Sequence, residues 1–302
     1  MLIALYITIS LIVLLMVASL FFAAKIIYPK TLTIEETRLS EIENNRYDEV
    51  EYEQWQRKEF TISSPFGYEI ACAYFPLEGA QKTVVISHGI TWSRYGSIKY
   101  MPSFRMRGFN ILIYDLRNHG LSGGKTTTFG LYEKFDLQIL VDWAFQQLNE
   151  TGIVGTLGES LGAGITLQHA AIDDRIRFAI ADCPYSDLTD LLKYRFKADY
   201  HLPAFPLLQL ANLLCKLLVN MPFKSVSPIR DIPNITTPVF WIHGQDDDYI
   251  PPEMSQRMYD AKIKGIRKIY LAPNAAHAKS QINNPIEYDR QIGEFLEKLN
   301  LA

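Results

Sequence analysis

Gly158-Glu159-Ser160-Leu161-Gly162 places a serine between two glycines, the spacing of a nucleophile held on a tight turn between a strand and a helix. The chemistry such a serine performs is acyl transfer. Its hydroxyl attacks a carbonyl only when a base removes its proton, so a histidine must reach it and an acid must orient that histidine. Acids and histidines follow in that order along the chain, with Asp246, Asp247 and Asp248 after His243-Gly-Gln and His277 after Pro-Asn-Ala-Ala. His277 is the expected base, because it lies late in the chain, on a loop, among small neighbours. Asp247 is the expected acid, with Asp246 and Asp182 as rivals for the same role. The oxyanion that forms during attack needs N–H donors, and the backbone amides of Ile90 and Leu161 are the expected pair. Gly158 and Gly162 are expected to relieve crowding around the serine turn.

These residues need strands and helices to hold them. From residue 60 onward, short β-branched runs alternate with helical patterns, which predicts crossover units building a mostly parallel sheet. The expected strands are Glu69–Phe75, Thr83–Ser87, Asn110–Tyr114, Ile153–Leu157, Phe178–Asp182, Val239–His243 and Lys268–Leu271. Most are continuous apolar runs, as expected for strands buried on both faces. Ser160, Asp247 and His277 then all fall just after strands, where open α/β sheets place their sites. Between Asp182 and Val239 lies far more chain than one crossover helix needs, so an inserted cap is expected over about residues 184–235. Its stretch HLPAFPLLQLANLLCKLLVNMP reads as a strongly apolar helix bounded by Pro203, Pro206 and Pro222, packing on the sheet edge or roofing the site.

The other histidines read as structural. His88, His119 and His243 sit at strand ends or turns, where hydrogen bonds to backbone are expected. His169 and His201 have no partner that the sequence names. The aspartate triplet lacks a second ligand cluster and the glycine and oxygen spacing of a calcium loop, so no metal is expected. Cys72, Cys183 and Cys215 are far apart and odd in number, which argues against a disulfide framework or zinc site and marks Cys183 and Cys215 as small core residues.

The chain begins differently. No charged residue occurs from Leu2 to Ala24, and a helix of that length reaches roughly 34 Å, enough to cross the hydrocarbon of a bilayer. Residues 1–28 are therefore read as a transmembrane anchor in preference to a cleaved signal peptide, whose apolar core is shorter and follows basic residues. Lys25, Lys30 and Arg38 follow the helix. The positive-inside rule alone then favours a cytoplasmic catalytic domain, while the side of the membrane stays open. Residues 29–59 read as a linker and an amphipathic helix carrying Leu39, Ile42, Tyr47 and Trp55, and residues 60–302 as the catalytic domain. The 302 residues carry a net charge of −3, which gives no field that would draw nucleic acid.

Taken together, SHG at 87–89, YDLRNHGLSGG at 114–124, GESLG at 158–162, HGQDDDYIP at 243–251 and NAAH at 274–277 resemble the α/β-hydrolase superfamily. More narrowly they are similar to its bacterial membrane-anchored serine-aminopeptidase-like and BEM46-like members. The resemblance implies an eight-stranded, mostly parallel sheet with a cap after the sixth strand and an acyl-serine intermediate formed without a cofactor. It carries Ser160, Asp247 and His277 over as the triad. The chain departs from the pattern in Ser-Pro-Phe-Gly at 64–67 and in Ala-Ala before His277. A fold of this kind hosts many chemistries. The expected activity is hydrolysis of a small carboxylic ester, with peptidase, amidase or thioesterase activity on the same residues, or a catalytically silent membrane-bound binding protein, as the alternatives.

Overall fold

In the computed structural model, which describes residues 1–46, 48–201 and 203–302, eight strands among the described residues form one sheet. They are β1 (Lys58–Ser63), β2 (Glu69–Phe75), β3 (Lys82–Ser87), β4 (Phe109–Tyr114), β5 (Ile153–Glu159), β6 (Ala179–Asp182), β7 (Val239–Gly244) and β8 (Arg267–Ala272). Their order is β1-β2-β4-β3-β5-β6-β7-β8, antiparallel across β1-β2-β4 and parallel from β4 onward. The seven strands expected from sequence appear within two residues of their expected bounds. Tyr47 and Leu202, both within stretches read above, lie outside the described residues.

The period of two along each buried strand builds two cores. Val85, Leu112 and Trp241 pack on one face, while Val84, Ile86, Ile111, Ile113, Phe240 and Ile242 pack on the other. The first face is covered by α5 (Glu133–Gln146) and α6 (Leu161–Ala170), the second by α4 (Met101–Arg105) and α12 (Pro285–Glu297). The remaining helices are α1 (Leu2–Ile27), α2 (Ile34–Glu43), α3 (Glu49–Gln54), α7 (Leu188–Tyr200), α8 (Leu207–Val219), α9 (Pro228–Asp231), α10 (Glu253–Ala261) and α11 (Ser280–Asn283).

Two sequence expectations are changed. Strand β1 was not foreseen and begins at Lys58, inside the segment read as linker and helix. It is an edge strand with only Phe60 and Ile62 turned inward, Phe60 stacking on Trp143 at 4.4 Å, and two apolar residues make too weak a pattern to read. Residues 29–59 hold two helices where one was expected, and α2 is not amphipathic in the expected sense. It starts at a capping box between Thr33 and Glu36, buries Thr37 and Glu41, and leaves Leu39 45% exposed. The cap lies between β6 and β7, and its apolar helix α8 is buried along one face only. Leu208, Ala211 and Cys215 are buried, whereas Leu213, Leu217 and Leu218 are exposed.

Helix α1 is 26 residues long and apolar enough to cross a membrane. Its first four turns stand free, but Ser19, Ala23, Ile26 and Ile27 are buried where it packs along α8. Cys215 Sγ lies 4.0 Å from the Ala23 carbonyl.

Candidate active site

Ser160 sits at the junction of β5 and α6 with φ 53° and ψ −110°, a backbone conformation costing of order 1–3 kcal/mol that the surroundings must impose. They impose it through glycine. A Cβ on Gly158 would strike the backbone of Gly162, and one on Gly162 would strike the backbone of Ser87, so strand and helix approach closely only with both glycines in place. The Ser160 amide donates to the Asp182 carbonyl of β6 at 2.8 Å. Both glycines thus permit the close approach of β5, α6 and β3 around the serine turn.

The loops after β5, β7 and β8 bring three expected side chains together. Ser160 Oγ is 2.9 Å from His277 Nε2, and His277 Nδ1 is 2.7 Å from Asp247 Oδ2. An ionised carboxylate only accepts, so Nδ1 carries the proton and Nε2 is left to accept from the serine hydroxyl. Asp247 Oδ1 accepts from the amides of Tyr249 (2.9 Å) and Ile250 (2.8 Å). Burial alone would raise the Asp247 carboxyl, but hydrogen bonds from His243 and His277 outweigh it and hold the group well below the usual carboxylate range.

The rival acids stand elsewhere. Asp246 is exposed. Asp182 Oδ2 accepts from the hydroxyls of Tyr100 (3.1 Å) and Tyr288 (3.0 Å), on the opposite face of the sheet, and burial raises its carboxyl to about 6.

Two histidines do more than the sequence suggested. His243 is fully buried, with Nε2 at 2.8 Å from the Ile250 carbonyl and 3.1 Å from Asp247 Oδ2. Both are acceptors, so Nε2 carries the proton and Nδ1 accepts from Ser255 Oγ at 2.7 Å. His243 therefore holds the acid of the site, not only backbone. His88 accepts the Leu116 amide at Nε2 (2.9 Å), which puts its proton on Nδ1, 2.7 Å from the Gly89 carbonyl. Burial and the neighbouring His119 press the His88 pKa well below the ordinary histidine value, so the ring stays neutral. That contact orients the Gly89–Ile90 peptide, whose N–H points away from its carbonyl. The Ile90 amide has no protein acceptor among the described residues, and Ile90 and Leu161 both border the space beside Ser160. No sequence signal beyond the His-Gly spacing marks His88, and none marks the role of His243.

Beneath the turn, Glu159 pairs with the buried Lys99 and accepts from Tyr100 Oη at 2.5 Å. Burial alone would lower the Lys99 pKa, and the carboxylates of Glu159 and Glu41 reverse this and raise it. The serine turn is thus anchored from behind by a buried ion pair that sequence reasoning missed, since Lys99 belongs to a short helical turn that carries no motif.

Cys183, Asp247 and His277 present donor atoms within 4.8 Å of one another. Burial raises the Cys183 thiol well above its usual value, and the other two are occupied by each other, by His243 and by Ser160. A metal would need a thiolate and free lone pairs that this arrangement withholds. Two cavities meet at Ser160. One, of about 310 Å³, is lined mainly by apolar side chains of α1, α7 and α8, with Lys25, Lys30, Arg195 and Asp199 also on its border. The other, of about 390 Å³, is bordered by Gly89, Trp92, Glu159 and His277.

Residues 82–208 match the sequence profile of the alpha/beta hydrolase fold. The chain is 38% identical over 92% of its length to the uncharacterized protein YqkD of Bacillus subtilis, covering 92% of that protein, and 24% identical to the uncharacterized protein YfhR of Escherichia coli K12 over 78% of this chain and 77% of YfhR. In structure it is similar to the Pyrococcus furiosus esterase Pf2001 (TM-score 0.68, 24% identity, 83% of this chain and 96% of the esterase). It is also similar to the Pyrococcus horikoshii acylaminoacyl peptidase (TM-score 0.62, 17% identity), covering 83% of this chain and 43% of that one.

Proposed function

The chain belongs to the α/β-hydrolase superfamily, and from that premise we propose that it is a serine hydrolase of carboxylic esters, with Ser160, His277 and Asp247 as its triad. The observation that carries the reading is the unbroken relay from Asp247 through His277 to Ser160 at 2.7 and 2.9 Å, opening on a mainly apolar cavity. His277 Nε2 takes the hydroxyl proton as Ser160 Oγ attacks the carbonyl carbon. The amides of Ile90 and Leu161 hold the oxyanion. His277 then returns the proton to the leaving alcohol, and a water activated by the same nitrogen releases the acid from the acyl-serine. Asp247 stays ionised throughout and stabilises the imidazolium. No step calls for a cofactor.

We read α1 as a retained membrane anchor. Its last turns are packed into the domain, and Ile27 accepts a hydrogen bond from the Thr127 amide at 2.9 Å. Cleavage of the helix would strip α1 from its packing along α8, where Cys215 lies against Ala23, and leaving that face bare favours retention.

A fluorophosphonate probe tests both parts. Full-length protein in alkali-washed membranes should label and stay in the pellet. Failure of the wild type to label would sink the esterase reading in favour of a silent binding protein, and release of the labelled band on washing would sink the anchor. A panel of matched esters, thioesters and aminoacyl amides then ranks leaving groups, and higher kcat/KM on amides would make the protein a peptidase or amidase.

The His88 contact makes a separate prediction. His88→Leu frees the Gly89–Ile90 peptide to rotate, so kcat should fall by about 10²-fold while KM stays within about threefold, as for loss of one oxyanion donor. Steady-state kinetics on a soluble ester checks it, and a rise in KM alone would assign His88 to substrate binding.

A further inference from the structure

We propose that the last turns of α1 are a wall of the acyl pocket and that Phe22 sets the acyl-chain length, making the substrate class a single-chain acyl ester amphiphile met at the bilayer surface. The inference rests on the reading of Ser160 as the acylating nucleophile.

The two cavities that meet at Ser160 are chemically unequal. His277 must pass its proton to the leaving alcohol, and it borders the second cavity but not the first. The alcohol therefore departs on the His277 side, and the acyl chain extends into the first cavity. That cavity runs between Ser160 and α1, with Phe22 and Ile26 of the helix facing Leu192, Phe196 and Leu208 of the cap. At about 310 Å³ it lies at the small end of ligand pockets, ~300–1,000 Å³, which suits one chain and not two.

The helix is built into this wall. The Phe22 ring meets Phe196 at 4.7 Å and Tyr200 at 4.9 Å, both edge-on. The Leu32 amide donates to the Thr91 carbonyl at 2.7 Å, one residue from the proposed oxyanion amide of Ile90. Lys25, the first charged residue of the helix, donates to Tyr200 Oη at 3.0 Å. The chain that enters the domain from α1 thus touches the pocket wall and the oxyanion loop in turn.

Depth follows from length. The free part of α1, Leu2–Ala18, reaches roughly 26 Å at about 1.5 Å per residue, a little short of a hydrocarbon core of about 30 Å. The packed turns of α1, with the exposed Leu213, Leu217 and Leu218 of α8 beside them, then sit at the membrane surface. A pocket walled by those turns meets acyl chains where they leave the bilayer.

The test uses the full-length chain in detergent micelles and p-nitrophenyl esters from acetate to palmitate. Phe22→Trp should lower the ratio of kcat/KM on decanoate and longer esters to kcat/KM on acetate by at least about tenfold, the scale of excluding a methylene or more from an apolar pocket. Phe22→Ala should shift the preferred chain length upward. Leu192→Trp, on the cap side, should repeat the tryptophan effect without altering α1. A chain-length profile that is the same in wild type and all three variants overturns the inference and leaves the esterase reading intact. A wild type inactive on every ester overturns the esterase reading itself.

Discussion

Ser160→Ala should lower ester turnover by about 10⁴–10⁶-fold and abolish fluorophosphonate labelling, with the melting temperature nearly unchanged. The size of the loss follows from the mechanism. In the proposed mechanism no acyl-enzyme forms without Oγ, and what remains is water attacking a carbonyl that the proposed oxyanion amides of Ile90 and Leu161 would still polarise. The small stability effect follows from the site. Ser160 Oγ has His277 as its side-chain partner, and alanine fits a turn whose tight contacts are made by Gly158 and Gly162. Kinetics beside a thermal melt therefore separates chemistry from folding. Turnover within about tenfold of wild type would place the nucleophile elsewhere.

Asp247→Asn should cost on the order of 10⁴ in kcat. An amide presents no charge to the imidazolium, and its NH₂ group turned toward Nδ1 would force the histidine proton to Nε2, leaving nothing to accept from Ser160. The environment makes the ionised form essential. Two backbone amides, His243 and His277 all point at the carboxylate. The folded-state pKa lies below the unfolded one, so the stability this group contributes is present above the ordinary carboxylate value and is lost as pH falls through the lower folded value. Asp247→Asn should accordingly flatten the acid side of the stability profile, which chemical denaturation at stepped pH will show. Asp182→Asn is the matched comparison, expected to keep turnover within about tenfold because its partners are Tyr100 and Tyr288. The opposite ranking would move the acid role to Asp182.

The alternation of strands and helices, the strand-turn-helix around Ser160 and the order serine, acid, histidine were all legible in the sequence. Each is local, carried by apolar runs, glycines and loop residues within a few positions of one another. Strand β1 was not legible because an edge strand turns only Phe60 and Ile62 inward. The choice among the aspartates was only partly legible, since Asp182 and Asp247 both follow apolar strands. Packing separates them, as Asp182 faces tyrosines from the far side of the sheet while Asp247 folds back under two amides.

By itself, then, the sequence determined the fold class, the three side chains that could form a relay and an apolar segment long enough to span a bilayer. The tertiary structure decided which proton sits on His88 and His243, what stands behind the serine turn at Lys99, and that α1 ends as part of the domain instead of a tether. The reason is range. Turn chemistry and hydrophobic period act between near neighbours, whereas a histidine tautomer depends on the carbonyl or amide that a distant loop presents. Likewise, the wall of a cavity depends on which helix the folded cap receives against it.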